Sequence, residues 1–334
     1  MTHRPPLRAA RIPILVLALL APPAAAGPDP ARVVGAERCG ECHKSELAAW
    51  KETTHFETFT TLHRRPSAQG IADKLGFKSL KREGPCVTCH YTAMPGDSGA
   101  PEVVSGISCE SCHGAARDWI DVHGDYGGKN VTREQEPPQH RAQRIARSEA
   151  AGMLRPADTW RLAAQCYQCH TVPNEKLVNT GGHPAGSDFE LVSWSQGEVR
   201  HNFLRGDTNE EASPEHQRVL YVVGQGLALE ANLRGTAKAT EKARYATSMA
   251  KRVAAARESL ARVAALAKIP EVDAMLAAAG GVALKLNNEP ALVAAAERVG
   301  EATRRFAAAH DGSDLAALDA ILAELPPPKG KVFE

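Results

Sequence analysis

The sequence predicts a mainly α-helical chain in two unlike parts, and three observations carry that reading. All eight cysteines of the 334 residues lie before position 170, in four identical Cys-x-x-Cys-His frames. From Pro214 onward there is no cysteine, alanine dominates, and apolar residues recur at helical spacing. Aromatic residues make up only 5% of the chain, thin for a core of this length. The expected organisation is a sorting signal over 1–26, a cysteine-bearing domain over 27–213 and a C-terminal helical domain over 214–334.

The first 26 residues open with Arg4, Arg8 and Arg11 and no acid, continue through an apolar run from Ile12 to Leu20, and end on Ala24, Ala25 and Ala26. That order of basic, apolar and small residues is a Sec-type signal peptide cleaved before Gly27, and it predicts export to a periplasm. The whole chain has 40 basic and 39 acidic residues, a formal charge of +1. Losing three arginines and no acid takes the charge to −2. Near-neutrality without a basic stripe argues against a nucleic-acid partner. No apolar run reaches the roughly 18–20 residues of a membrane span, so none is expected after cleavage.

An exported chain with eight cysteines is first a candidate disulfide scaffold. The spacing argues otherwise. The pairs Cys39/Cys42, Cys86/Cys89, Cys109/Cys112 and Cys166/Cys169 are each followed at once by a histidine: His43, His90, His113 and His170. This is the attachment motif of c-type haem, repeated four times. Two thiols add across the two haem vinyl groups, and the adjacent imidazole becomes the proximal iron ligand. Zinc ribbons pair Cys-x-x-Cys units but do not require the histidine. The expected cofactors are therefore four covalently attached haem c groups.

A six-coordinate haem needs a second axial ligand. Past the signal peptide the other histidines are His55, His63, His123, His140, His183, His201, His216 and His310. The haem-bearing stretch has only Met94 and Met153 as thioethers. Bis-histidine ligation is the default, at lower potentials than His/Met ligation gives. His63, beside Arg64 and Arg65, suits a solvated or propionate-facing role. His140, His216 and His310 fall at expected helix ends and read as structural.

Two blocks carry a family resemblance. One runs Cys39-Gly40-Glu41-Cys42-His43, then Trp50, then His55. The other runs Gly106-Ile107-Ser108-Cys109-Glu110-Ser111-Cys112-His113-Gly114, then His123. Over about 33–205 the chain resembles the tetrahaem cytochrome c-554 family. The fold implied is a c-554-like multihaem cytochrome c fold, here followed by an Ala-rich C-terminal helical hairpin or bundle. The resemblance implies that His55 ligates the third haem and His123 the first, and that the fourth haem takes His201, with His183 as competitor. It also implies a second haem, at His90, without a distal protein ligand, unless His183 closes it.

Along the chain, the segment after the first motif is expected to be helical to about Thr61, with Leu47, Trp50 and Phe56 on one side. Trp50 packs either on a porphyrin or in an ordinary core. Pro95, Gly96, Gly99 and Pro101 mark a loop, and 124–139 read as a surface insertion. Arg141, Arg144 and Arg147 read as a solvated helix face or as partners for propionates. Residues 215–268 form one long helix or two, with Gly224 and Gly226 as weak points. Further helices run to about Ala279, from Glu289 to His310, and briefly before Pro326. This part is either a cap on the haem domain or a docking or dimerisation surface.

No Ser-His-Asp set, P-loop or dinucleotide fingerprint is present, so covalent haem would carry the chemistry. The first functional reading is a periplasmic electron carrier whose partners are other cytochromes or a periplasmic oxidoreductase. The alternative is an enzyme acting on nitric oxide, nitrite or hydroxylamine at an open His90 iron. Against it, multihaem nitrite reductases usually carry an unusual active-site motif, and these four are ordinary. A third reading uses the Ala-rich tail to hold the haem module beside an enzyme.

Overall fold

The computed structural model describes residues 27–334; the expected signal peptide lies outside the described residues. Its N-terminal half is a series of short helices, each set by a cap or a motif. Helix α1 (Ala36–Gly40) carries the first cysteine, and α2 (Lys44–Lys51) follows the first motif. Helix α3 (Thr54–Thr61) starts where the Thr53 hydroxyl accepts the Phe56 N–H. Helix α4 (Pro66–Leu75) begins with proline and ends at Gly76, whose φ of 75° suits a residue without a Cβ. The second motif is α5 (Gly84–His90) and the third is α6 (Cys109–His113), capped by the reciprocal Ser108/Ser111 pair. Between them lies an antiparallel hairpin, β1 (Thr92–Pro95) and β2 (Pro101–Ser105), with Ala93 opposite Val103 and Pro95 opposite Pro101. The expected Pro/Gly loop is its turn.

Next come α7 (Ile120–His123), α8 (Pro138–Ala150) and α9 (Thr159–His170), the last capped by Asp158 and ending in the fourth motif. Short helices α10 (Glu175–Asn179) and α11 (Leu191–Ser195) complete this half. The C-terminal half is built on four longer helices: α12 (Pro214–Ala237), α13 (Arg244–Leu266), α14 (Pro270–Gly280) and α15 (Glu289–Ala309). Short α16 (Asp319–Leu322) follows, then an extended tail.

Ser213 and Pro214 start α12 as their chemistry demands, the Ser213 hydroxyl accepting the His216 N–H. The expected weak points are not where this part breaks. Gly224 and Gly226 are buried inside α12, and the chain turns at 238–243 instead. A Cβ at Gly224 would meet Leu191, and one at Gly226 would come within 2.3 Å of the Thr303 hydroxyl. These glycines permit close helix approach. Leu260 and Val263, three residues apart on α13, are fully buried.

Both clusters of buried apolar side chains lie from Ala163 onward. The larger joins Tyr167, Leu191 and Val192 to the four long helices, so one core runs across position 213. The C-terminal part is thereby packed on the last motif helix. Arg218, 7% exposed, locks α12 to α16 through two bonds to the Asp319 carboxylate, 2.7 and 2.9 Å, and one to the Gly312 carbonyl.

Candidate metal centres

Each of the four motif histidines faces one other histidine. His43 and His123 have ring centroids 6.2 Å apart, His90 and His183 6.2 Å, His55 and His170 6.2 Å, and His113 and His201 6.1 Å. With metal–imidazole bonds of about 2.0–2.1 Å and about 1.1 Å from nitrogen to ring centre, two imidazoles trans on one metal stand about 6.2–6.4 Å apart. All four gaps fit a single ion between two rings. Among the described residues no group of three or more His, Cys, Asp or Glu is arranged to hold a metal. Each pair offers two axial nitrogens, and the equatorial donors would have to come from a macrocycle, as a haem supplies them.

The surroundings present the rings for that task. The Nδ1 of His113 meets the Leu154 carbonyl at 3.0 Å, that of His123 the Ile120 carbonyl at 2.6 Å, that of His183 the Pro184 carbonyl at 2.9 Å and that of His201 the Val199 carbonyl at 2.7 Å. His170 Nδ1 meets the Ser187 hydroxyl at 3.0 Å. A carbonyl accepts only from N–H, so in four of these rings the proton is on Nδ1 and the Nε2 lone pair is free for a metal. Burial lowers the pKa of His55, His113 and His123, and takes His90 and His170 down to about 4. They are neutral near pH 7, the form that ligates.

Polar atoms left without partners also suit a large group carrying acceptors. Trp119 Nε1 is buried with no acceptor, and its ring lies edge-on to His123, centroids 5.2 Å apart. Arg200 Nε, next in sequence to His201, is buried without one as well. Haem propionates are acceptors of that kind. Around His170, Phe189 stacks at 4.5 Å and Trp194 sits edge-on at 5.0 Å. Trp50 donates to the Ile107 carbonyl at 2.7 Å and meets Phe56 edge-on, so it joins α2 to the segment before the third motif.

All eight cysteines are free thiols. They lie close together across motifs. Cys109 hydrogen-bonds Cys39, which lowers the pKa of Cys39 and raises that of Cys109; Cys169 does the same to Cys89. Burial pushes Cys112 to about 11 and Cys166 to about 12, and the two are near enough that Cys112 also raises Cys166. Helix α1 packs on α6 and α6 on α9, and Cys89 of α5 neighbours Cys169 of α9, so the motifs follow one another in the order first, third, fourth, second.

The pairing departs from the one the resemblance implies. His123 faces His43 as expected. His55 faces His170 of the fourth motif, not His113 of the third, and His201 faces His113, not His170. In α3 the Thr58 hydroxyl donates to the His90 carbonyl at 2.9 Å, so the helix that carries His55 also packs on the second motif. His183 stands opposite His90, at the position the resemblance leaves empty.

The other histidines stand apart from these pairs. His63 lines a cavity of about 390 Å³ with Asp73, Phe77 and Lys81. His140 meets buried Glu136 at 2.8 Å, and His310 stacks on Phe306 at 4.7 Å with Glu271 3.4 Å away. His216 lies in the first turn of α12.

Two groups near the rings escape sequence reasoning. Glu110, 1% exposed between the third pair of cysteines, accepts the N–H groups of Val34, Gly35 and Ala116 at 3.0, 2.8 and 2.8 Å. Glu136, inside the expected surface insertion, has a fully buried side chain held by Arg144 at 2.6 and 2.7 Å. Arg144 also donates to the His123 carbonyl at 2.6 Å. Of the three expected face arginines, Arg141 and Arg147 are exposed and Arg144 turns inward.

Residues 38–114 match the family model described as cytochrome c554 and c-prime. That span holds the first three motifs. Cytochrome c-554 of Nitrosomonas europaea is 29% identical over 96 residues, which make up 27% of this chain and 41% of that protein. The chain thus spans less than half of the curated relative it matches. No solved structure matches the chain. A cytochrome c-554-like segment supports a redox, electron-transferring role and fits the mainly helical fold. His123, His170, His183 and His201 lie beyond the matched span.

Proposed function

We propose that the chain is an exported tetrahaem c-type cytochrome that passes electrons between redox partners through four haems, every iron capped by two histidines. The observation that carries this is the set of four imidazole pairs at 6.1–6.2 Å, each containing the histidine of one Cys-x-x-Cys-His motif. Haem would supply reversible one-electron chemistry at iron.

The protein's part is attachment, ligation and spacing. Cys39/Cys42, Cys86/Cys89, Cys109/Cys112 and Cys166/Cys169 form the thioethers. His43, His113, His170 and His90 are the proximal ligands, faced by His123, His201, His55 and His183. The carbonyls at Ile120, Leu154, Pro184 and Val199 hold four of these rings in the ligating tautomer. The motif neighbours would hold the haems in the order first, third, fourth, second, an arrangement in which haem would supply electron transfer along the chain. Haem bulk also accounts for the low aromatic content: among the described residues before Ala163 there is no cluster of buried apolar side chains, and the macrocycles would be the core there. Electron donors and acceptors would be other cytochromes or a periplasmic oxidoreductase, reached after export by the signal in 1–26.

The nitrogen-oxide reading needs an open iron at His90, and His183 facing that ring speaks against it. His183→Ala tests the choice. The variant should keep four haems, turn one high-spin and bind carbon monoxide when reduced. A variant identical to the parent would remove His183 from the scheme and reopen the enzymatic reading.

A further inference from the structure

We infer that the C-terminal tail, residues 326–333, is the positioning element of His201, holding the loop that closes the third iron. This rests on the bis-histidine reading above. His201 lies on an exposed, irregular stretch between α11 and α12, where the turn at 196–199 offers no helix or strand to hold it. The tail supplies the support. The Ser193 hydroxyl donates to the Pro326 carbonyl at 2.8 Å and Lys329 N–H to the Ser193 carbonyl at 2.8 Å, fastening the tail to α11. Glu198 N–H then donates to the Lys329 carbonyl at 2.8 Å, three residues before His201. On the far side, Asn209 is 8% exposed; its amide donates to the carbonyls of Arg200 and Phe333, both at 2.8 Å. Its oxygen accepts Asn202 N–H at 2.8 Å. Phe333 packs edge-on against Phe203, centroids 6.1 Å apart.

Both neighbours of His201 are thus fixed by one asparagine that is itself fixed by the tail. The approach is too close for a side chain at Gly197, where a Cβ would lie 2.0 Å from the Lys329 carbonyl. Lys329 also lies over Trp194 at 5.5 Å, the ring that abuts His170. The tail therefore touches the distal side of one pair and the proximal side of the next. Supporting bonds of this kind set how tightly a ligand holds its metal, with losses of about 10–100-fold on removal. The Ala-rich part thereby acquires a role at the haems: its bundle, packed on α9 and α11, delivers the tail to this loop.

The test compares the haem-loaded full chain with a variant ending at Leu325 and with His201→Ala, by high-spin content of the ferric form and carbon monoxide uptake of the ferrous form. His201→Ala should open one haem in four. The truncated chain should keep four haems and raise carbon monoxide uptake at least about tenfold, towards the same one in four. Adding His201→Ala to the truncation should change nothing further. A truncated chain as inert as the parent, beside an open His201→Ala, overturns the inference and leaves the ligand scheme standing. A silent His201→Ala overturns the ligand scheme itself. If truncation lowers haem content, Asn209→Ala and Phe333→Ala in the full chain take its place; an open third iron in either supports the inference, and inertness in both overturns it.

Discussion

Replacing Glu110 should damage this protein more than its place between two cysteines suggests. Its carboxylate is 1% exposed and accepts three backbone N–H groups, from Val34, Gly35 and Ala116, within 3.0 Å. Those bonds pin the strand of chain before the first motif against the third motif. A hydrogen bond to a charged group contributes about 1.5–3 kcal/mol net, and a buried donor left without an acceptor costs about 1–3 kcal/mol. The three bonds share one carboxylate, so they do not add in full. Glu110→Ala should therefore cost about 3–5 kcal/mol, at the severe end for a single substitution. With a guanidinium m-value of about 5 kcal/mol/M, the midpoint should fall by about 0.6–1 M. Glu110→Gln keeps one acceptor oxygen but turns an amide donor toward a donor, and should lose roughly half as much. The assay is guanidinium unfolding of the haem-loaded protein followed by far-UV circular dichroism. A fall below about 0.1 M in Glu110→Ala, with the slope unchanged, would refute the reasoning.

Three further outcomes follow from the same geometry. The two bonds from Arg144 hold the Glu136 carboxyl at about 2, well below its ordinary 4.5. A depressed carboxylate adds stability that is complete above the unfolded value and lost as pH falls through the folded one, so the advantage of the parent over Glu136→Gln should vanish between pH 4.5 and 2; acid titrations of both by circular dichroism check this. Gly226→Ala puts a Cβ within 2.3 Å of the buried Thr303 hydroxyl, and overpacking of that sort should cost about 1–3 kcal/mol in thermal unfolding without changing the haem spectrum. Gly106→Ala drives a Cβ to within 2.0 Å of the His55 carbonyl, so it should displace His55 and open the fourth iron, read as high-spin signal in the ferric protein.

The histidines that face one another in the structure are all ones the sequence singles out, but which faces which is not legible there. Cys-x-x-Cys-His is a local pattern: its five residues sit within one helix in α5, α6 and α9, while the first motif runs from the end of α1 into the turn before α2. His55, His123, His183 and His201 stand out as histidines with no other task. Which of them faces which motif depends on which motifs are neighbours, and that is set by contacts such as Cys39 with Cys109 and Thr58 with the His90 carbonyl. Nothing in the spacing reports those. Helix ends marked by Ser213-Pro214, Pro270 and Gly280 were readable because capping is local. Gly224 and Gly226 mislead for the opposite reason: their low helix propensity is overridden by the close approach they allow to Leu191 and Thr303. Glu136 looks like one more surface charge in a polar stretch, and only the inward turn of Arg144 shows that it is buried. The tail reaches its loop through backbone groups, which every residue carries, so no sequence signal announces it.

Quantitative low-temperature electron paramagnetic resonance of the ferric, haem-loaded full chain, normalised to iron and to protein, tests the central claim most directly. Four irons per chain, all low-spin and none binding carbon monoxide on reduction, is the result expected of four histidine pairs. One high-spin iron in four would contradict it, and would mean that one of the four facing rings does not reach its metal.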